Sequence, residues 1–297
     1  MVELVEADEY AHEPNERPDW RESYYFNWVD LDAGVSGFST IGLLPNASKR
    51  EFVFALFCNG EREAYFVEPD GAVPNDFHES LSDGVLSYEV INPFKEWRIR
   101  YLGANLKADI QWVGRFSAYD FGQGSGTSWA GHFEQSGAPR GKIEFSDGKV
   151  IKFSGLGERD KSWGVRDWHI DSWYALHAQF DEISIGLRLD TVKGEFHPSG
   201  GISSIKGHVP ITRVDLETIH HDEQPGFPIG ALTTVYGEDG IFYTLKSSLI
   251  SPTSLVRFER EFSGGRTELF EEMAVHECKE LKAQGTGLIE WLFTHKG

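Results

Sequence analysis

Short segments rich in β-branched and aromatic residues recur along the whole chain and predict strands. Examples are REFVFALF, GVLSYEVI, EWRIRYLG, LKADIQWV, GKVIKFSG, IGLRLDTV, GIFYTLKSSLI and GLIEWLFTH. Turn dipeptides that favour positive φ separate such segments and predict hairpins: Asn59-Gly60, Asp70-Gly71, Asp83-Gly84, Asp147-Gly148 and Asp239-Gly240. Because no segment of comparable length shows a helical apolar stripe, we expect an all-β protein built from antiparallel sandwiches or barrels.

Alternation within DWHIDSWYALHAQF places polar and apolar side chains on opposite faces of a strand. One face carries Asp167, His169, Asp171, Trp173, His177 and Gln179, and the other carries Trp168, Ile170, Ser172, Tyr174, Leu176 and Phe180. A solvated outer face and the wall of a pocket both explain the polar set. Trp173 favours the pocket wall, because an indole among acids and histidines suits an enclosed site better than a wet surface.

Two further segments place carboxylates where they could be buried. TSWAGHFEQSG puts His132 and Glu134 on one face of a strand, with Trp129 and Phe133 on the other. GLIEWLFTH puts Glu290 on a face that it shares with apolar residues. A carboxyl group buried there without a cationic partner should have a raised pKa.

Composition and charge narrow the function classes. The 297 residues are 40% hydrophobic and 13% aromatic, which is enough for two compact units with buried cores. The net charge of −19 argues against binding to nucleic acid or to an anionic membrane surface. The acidic N-terminal residues do not resemble a secretory signal, and no long apolar run occurs, so we expect a cytoplasmic protein without membrane insertion. Cys58 and Cys278 are expected to be packed, reduced thiols.

Several familiar catalytic signatures are absent from the sequence. It contains no GxGxxG, GxxxxGK[ST], HExxH or GxSxG motif, which argues against nucleotide-driven, zincin and α/β-hydrolase chemistry. The pair His220 and His221, followed by Asp222, could bind a metal. A polar loop is the commoner explanation, because neighbours on a strand point opposite ways. We therefore expect no bound metal.

The stretch GLGERDKSWGVRDWHIDSWY combines acids, arginines and indoles in the middle of the chain. Arg159-Asp160 and Arg166-Asp167 flank a Trp163-Gly164 pair. One interpretation is a structural turn held by salt bridges. The other is a carboxylate held beside aromatic walls in a dry cavity, where it can donate or accept a proton. We place a junction between two domains around residue 160, giving domains 1–160 and 161–297.

Together with HFEQSG, WRESYYFNWVD, GFSTIGLLPN and GTGLIEWLF, the central GERDKSWGVRDW resembles the AttH-like, carotenoid 1,2-hydratase (hydroxyneurosporene synthase) superfamily. The resemblance covers most of the chain and implies two lipocalin-like antiparallel β-barrel or sandwich domains. That superfamily includes carotenoid hydratases and relatives that act as pericyclases and terpenoid cyclases. Its members commonly carry RDHSWG, whereas this sequence carries RDKSWG, with Lys161 at the histidine position.

The resemblance implies a cofactor-free lyase, hydratase, isomerase or cyclase that acts by acid–base chemistry on a lipophilic substrate such as a terpenoid, steroid or polycyclic aromatic. The alternative is a non-catalytic lipocalin-like carrier of a hydrophobic ligand. Candidate proton-transfer residues are Asp160, Glu134, Asp167 and Glu290. Candidate substrate-binding residues are Tyr25, His132, Lys161, Trp163, Arg166, His169, Trp173 and His177. Lys161 is expected to anchor the site by holding Asp160 as a carboxylate. The sequence is also compatible with assembly as a homodimer.

Overall fold

The computed structural model describes residues 3–121, 129–165 and 170–297. Antiparallel strands dominate these residues, so the predicted all-β fold class is confirmed. Contacts divide them into a first unit, residues 3–120 and 129–165, and a second unit, residue 121 and residues 170–297. No helix in the described ranges is long and apolar enough to cross a membrane.

The first unit is one open antiparallel sheet. Its strands are β1 (Trp20–Asp30), β2 (Val35–Leu44), β3 (Lys49–Cys58), β4 (Glu61–Val67), β5 (Leu86–Asn92), β6 (Glu96–Leu102), β7 (Leu106–Gly114), β8 (Tyr119–Asp120), β9 (Gly131–Phe145), β10 (Val150–Ser154) and β11 (Gly157–Val165). Their order is β4-β3-β2-β1-β11-β9-β7-β6-β5, and β8 and β10 also pair with β9. The unit includes 3₁₀ helices at Glu6–Glu9 and Pro45–Ala47 and the short helix α1 (Phe77–Ser80).

The second unit is a closed barrel. Its strands are β12 (Ser172–Gln179), β13 (Ile183–Val192), β14 (Glu195–Ser204), β15 (Gly207–His221), β16 (Gln224–Gly237), β17 (Phe242–Leu249), β18 (Leu255–Phe262), β19 (Gly265–Cys278) and β20 (Ala283–Lys296). The sheet order is β17-β16-β15-β14-β13-β12-β20-β19-β18. An additional pairing of β17 with β19 closes eight strands into a ring and leaves β18 outside it.

Each unit buries an apolar core on one face of its sheet. In the first unit, alternate β1 residues Tyr24, Phe26 and Trp28 contribute to this core. We call the opposite side of the first sheet its polar face, since the residues between these aromatics point there. In the second unit, Tyr174, Leu176 and other inward residues fill the barrel. The side chains on the polar face are therefore not part of this core, and they can take part in binding or catalysis.

The turn dipeptides form hairpins at three of the five expected positions. Asn59-Gly60 joins β3 to β4, Asp147-Gly148 joins β9 to β10, and Asp239-Gly240 joins β16 to β17. Gly60, Gly148 and Gly240 all have positive φ. Asp70-Gly71 and Asp83-Gly84 instead lie in the connection between β4 and β5, because a positive-φ turn does not by itself require that the flanking strands pair.

Residue 160, where the sequence analysis placed the domain junction, lies within β11. This strand pairs with β1 on one side and with β9 on the other. The stretch GERDKSWGV is therefore an interior strand of the first sheet, and its side chains alternate between the apolar core and the polar face.

Candidate functional site

A row of four side chains crosses the polar face of the first sheet. Tyr25 on β1 is paired with Asp160 on β11, Asp160 is paired with Glu134 on β9, and Glu134 is paired with Tyr119 on β8. Directly paired residues of antiparallel strands project to the same side of a sheet. The register therefore brings together three residues predicted from the sequence and places a phenol at each end of a carboxyl pair. We call these four residues the carboxyl row.

Burial differs along the carboxyl row. The relative exposure of Tyr25, Glu134 and Tyr119 is 5%, 2% and 4%, whereas the Asp160 side chain keeps 21%. Asp160 is thus the member that a molecule arriving from outside can reach most directly. Its neighbour Glu134 is almost completely enclosed.

His132 lies beside both carboxyl groups. Its Nε2 atom is 3.7 Å from Oε1 of Glu134 and 4.0 Å from Oδ1 of Asp160. The imidazole is buried, and the ring of Trp129 meets it edge-on with 4.7 Å between centroids. The expectation that Trp129 and His132 lie apart on opposite faces is therefore wrong. Since β9 begins at Gly131, strand alternation does not extend to Trp129.

Tyr119 holds the second oxygen of Glu134. Its hydroxyl donates a hydrogen bond of 2.9 Å to Oε2. Burial, together with the negative charges of Glu134 and Glu158, raises the pKa of Tyr119 well above its ordinary value. The phenol therefore stays protonated and remains a donor. One oxygen of Glu134 is oriented by Tyr119, and the other faces His132.

The rest of the polar face holds further buried charges. Arg21 forms an ion pair with Glu51, and both side chains are nearly enclosed. Gly42 makes room for this arginine, since a Cβ at that position would lie 2.6 Å from its Nη2 atom. Farther along β11, Glu158 is fully buried, and its backbone N–H donates to Oδ1 of Asn27 at 2.9 Å. The surroundings of the carboxyl row are therefore polar but largely enclosed.

Lys161 and Trp163 lie on the core side of β11, away from Asp160. Lys161 is completely buried and forms an ion pair with Glu22, and its Nζ lies 4.6 Å from the centroid of Tyr24 and 4.9 Å from that of Trp163. Burial lowers the pKa of Lys161, and Glu22 offsets part of that effect. The expectation that Lys161 holds Asp160 ionised is not met, because adjacent residues of a strand point to opposite faces.

The segment before β1 packs over the same end of the core. His12 stacks on Trp163 with 3.9 Å between ring centroids, and its backbone N–H donates to Oε1 of Glu22 at 3.0 Å. Glu9 is fully buried and accepts hydrogen bonds of 2.7 and 2.8 Å from Arg159. Trp163 is thus covered by His12, and its ring packs against this segment.

Trp173, His177 and Glu290 belong to the second unit, where they lie on the outward side of the barrel. Trp173 donates its indole N–H to Oε1 of Glu290 at 2.5 Å. The guanidinium carbon of Arg188 lies 4.0 Å from the Trp173 ring centroid, and Arg188 Nε donates to Oδ1 of Asp190 at 2.6 Å. The predicted alternation of Trp173 and His177 with inward Tyr174 and Leu176 is present in β12. Arg166, Asp167 and His169 lie outside the described residues.

The sequence analysis missed a polar cluster inside the second barrel. The Tyr174 hydroxyl lies 3.1 Å from Oγ1 of Thr233, and Oγ of Ser247 lies 2.8 Å from Nδ1 of His276. Glu272 is fully buried, and its carboxyl oxygens have no hydrogen-bond partner among the described residues. Burial raises the pKa of Glu272 to about 9 and lowers that of His276 to about 3. Both side chains are therefore neutral near pH 7.

The sequence analysis also did not predict Tyr119 and Glu158 as residues of the site. Tyr119 belongs to a two-residue strand, which is too short to produce an alternation signal. Glu158 could have been found, because it is two residues from Asp160 and shares its face if the stretch is treated as a strand. Across the described ranges, no group of three His, Cys, Asp or Glu side chains could hold a metal ion.

Comparison with known proteins supports the same fold. The family model described as "Domain of unknown function (DUF7064)" matches residues 5–294. No curated protein matches the sequence. An AttH-like protein from Nitrosomonas europaea has a TM-score of 0.70 at 13% identity, over 98% of this chain and 96% of that one.

Two further solved structures share the architecture. Kievitone hydratase from Nectria haematococca has a TM-score of 0.63 at 13% identity, over 97% of this chain and 94% of that one. CghA in complex with Sch210972 has a TM-score of 0.53 at 8% identity, over 94% and 89% of the two chains. The AttH-like resemblance expected from the sequence is therefore confirmed at the level of the fold.

Proposed function

The chain belongs to the DUF7064 family, and we propose that it is a lyase, hydratase, isomerase or cyclase that transfers protons to or from a lipophilic small molecule without a cofactor. The observation that carries the proposal is the carboxyl row with His132 beside it. A protein that only stores a ligand does not need two neighbouring carboxyl groups and an imidazole on an enclosed face.

The geometry gives the groups of this site different roles. Asp160 is the most exposed member of the carboxyl row, so it is the group that exchanges a proton with the substrate. Glu134 is oriented by Tyr119 and lies close to His132, so these two residues can restore the proton of Asp160 after turnover. General acid–base catalysis by a positioned side chain typically contributes about 10² to 10⁴ in rate.

Aromatic groups near the carboxyl row favour a lipophilic substrate. The Tyr25 ring stacks with Phe38 at 6.2 Å between centroids, and Trp129 borders His132. Aromatic faces can stabilise cationic character that develops when an alkene or a leaving group is protonated. The name of kievitone hydratase, which shares the fold, agrees with addition or removal of water as the reaction.

The test uses deuterium incorporation. Purified protein is incubated in deuterated water with a panel of terpenoids, steroids and polycyclic aromatics, and products are analysed by mass spectrometry. We expect one class to gain deuterium with the native chain, and this gain to be lost in Asp160→Asn and kept in Glu144→Gln, which changes an exposed acid on β9. Tight binding of a panel member without any exchange or turnover would instead establish the carrier alternative.

A further inference from the structure

A groove on the polar face of the first sheet lies away from the carboxyl row. Its volume is about 540 Å³. It is lined by Ile91, Glu96, Arg98, Asp109, Gln111, Arg140, Gly141, Lys142, Lys152 and Phe153, which come from β5, β6, β7, β9 and β10. Glu134 and Arg140 are six positions apart on β9, so the groove and the carboxyl row occupy different parts of one strand. We call this feature the basic groove.

Strand register places its charged side chains side by side. Lys142 on β9 is paired with Asp109 on β7 and with Lys152 on β10. Arg140 is paired with Gln111 on β7 and with Ser154 on β10. Lys142 and Lys152 are therefore two ammonium groups at directly opposed positions. Like charges in such positions destabilise a sheet unless a counter-charge is present.

The acids of the basic groove are already engaged. Asp109 accepts hydrogen bonds of 2.8 and 2.7 Å from Arg98, and Glu96 accepts one from Gln111. The ammonium group of Lys142 donates to Glu144 at 2.6 Å. The remaining cations, Arg140 and Lys152, have no carboxylate partner among the residues that the structure describes.

Arg140 is already held in place by its neighbour. Its Nε donates to Oε1 of Gln111 at 2.7 Å, and this bond leaves the terminal guanidinium nitrogens to bind another group. A planar guanidinium matches the two oxygens of a carboxylate or a phosphate, and a nearby ammonium adds a point charge. Although the chain carries a net charge of −19, an arginine and a lysine without carboxylate partners lie beside one groove, and together they attract an anion there.

We propose that the basic groove binds a small organic oxyanion, with its carboxylate or phosphate against Arg140 and Lys152 and its apolar part against the exposed side chain of Ile91. The volume lies within the range of about 300 to 1,000 Å³ that is usual for small-molecule sites. This binding is independent of proton transfer at Asp160, so it holds whether or not the carboxyl row is catalytic.

The test is calorimetric titration of the full chain with inorganic phosphate and with hexanoate at low, constant ionic strength, because salt screens such contacts. We expect saturable binding at one site per chain for at least one of the two anions, and the one that binds identifies the head group. Lys152→Met and Arg140→Gln should each weaken binding by about tenfold or more, as expected for loss of a charge-assisted hydrogen bond.

Lys206→Met is the matched control, because it removes one positive charge from an exposed hairpin of the second unit. It should bind as the native chain does. Absence of saturable binding of both anions would overturn the proposal. So would equal affinity in the native chain and the two groove variants, or an equal loss in Lys206→Met. Melting temperatures confirm that each variant is folded.

Discussion

Asp160 and Glu134 occupy directly opposed positions on β11 and β9, so their carboxyl groups share one face of the first sheet. One is partly accessible and the other is enclosed. This asymmetry gives an outer group that can meet a substrate and an inner group that the protein itself orients. It also determines how variants of the two residues should differ.

Asp160→Asn keeps the shape of the side chain and removes its proton-transfer capacity. With a substrate identified from the panel, we expect the turnover rate of Asp160→Asn to be lower than that of the native chain by a factor of about 10² to 10⁴. The melting temperature should change little because the side chain is partly exposed. Full turnover in a folded Asp160→Asn protein would contradict the assigned role and leave β11 a purely structural strand.

Tyr119→Phe tests the orientation of Glu134. The change removes the 2.9 Å hydrogen bond and leaves a buried carboxyl oxygen without that donor, at a stability cost of about 1 to 3 kcal/mol. We expect a smaller loss of turnover than for Asp160→Asn and a shifted pH–rate profile, since Tyr119 acts through Glu134. A Tyr119→Phe protein that loses stability but keeps the native profile would show that the phenol only supports packing.

The buried carboxyl of Glu272 predicts that stability depends on pH. In the unfolded chain this group titrates near 4.5, whereas burial raises its folded pKa to about 9. Between these values the folded state holds a proton that the unfolded state has lost, so its stabilising contribution falls as pH rises, by up to about 1.4 kcal/mol per pH unit. Urea unfolding at several pH values between about 6.5 and 9 should show that Glu272→Gln flattens this slope. Glu277→Gln, an exposed change on the same strand, should not.

His276 has the opposite dependence. Burial lowers its folded pKa from 6.5 to about 3, so its contribution to stability is lost as pH falls below 6.5. From about pH 4.5 to 6.5 the slopes of His276 and Glu272 have opposite signs, and the two contributions should cancel to a plateau. His276→Gln should remove the decline on the acid side, whereas the exposed change His220→Gln should leave it. A decline that persists in His276→Gln would assign it to other groups.

The ion pair of Glu9 with Arg159 should be far more sensitive than a surface pair. Glu9→Gln leaves the guanidinium of Arg159 charged inside the core, which typically costs about 3 to 5 kcal/mol. Asp19→Asn breaks the exposed pair with Arg17 and should cost no more than about 1 kcal/mol. Denaturant titrations of both variants give the comparison, and equal small losses would contradict the role assigned to Glu9.

Local patterns predicted much of the architecture. REFVFALF and GLIEWLFTH lie in β3 and β20 because β-branched and aromatic residues favour a pleated surface. Local patterns could not predict the carboxyl row, because the pairing of Tyr25 with Asp160 depends on the register between two strands that are far apart in sequence. Strand alternation alone would have predicted that the Lys161 side chain lies on the face opposite to Asp160. This was missed because GERDKSWGV is polar and contains glycine, so the sequence analysis placed a domain junction there and did not treat the stretch as a strand.

The central position of β11 has a consequence for how the first unit folds. β11 pairs with β1, and the Glu158–Asn27 hydrogen bond spans 131 positions of sequence. During synthesis the hairpins of β1 to β4 can form early, but the outer edge of β1 has no neighbouring strand until residues 157–165 leave the ribosome. Such distant pairings slow folding and leave an unsatisfied edge that can capture other chains. A nascent chain halted before residue 157 should therefore be prone to aggregation, even though ten of the eleven strands of the first unit are already synthesised.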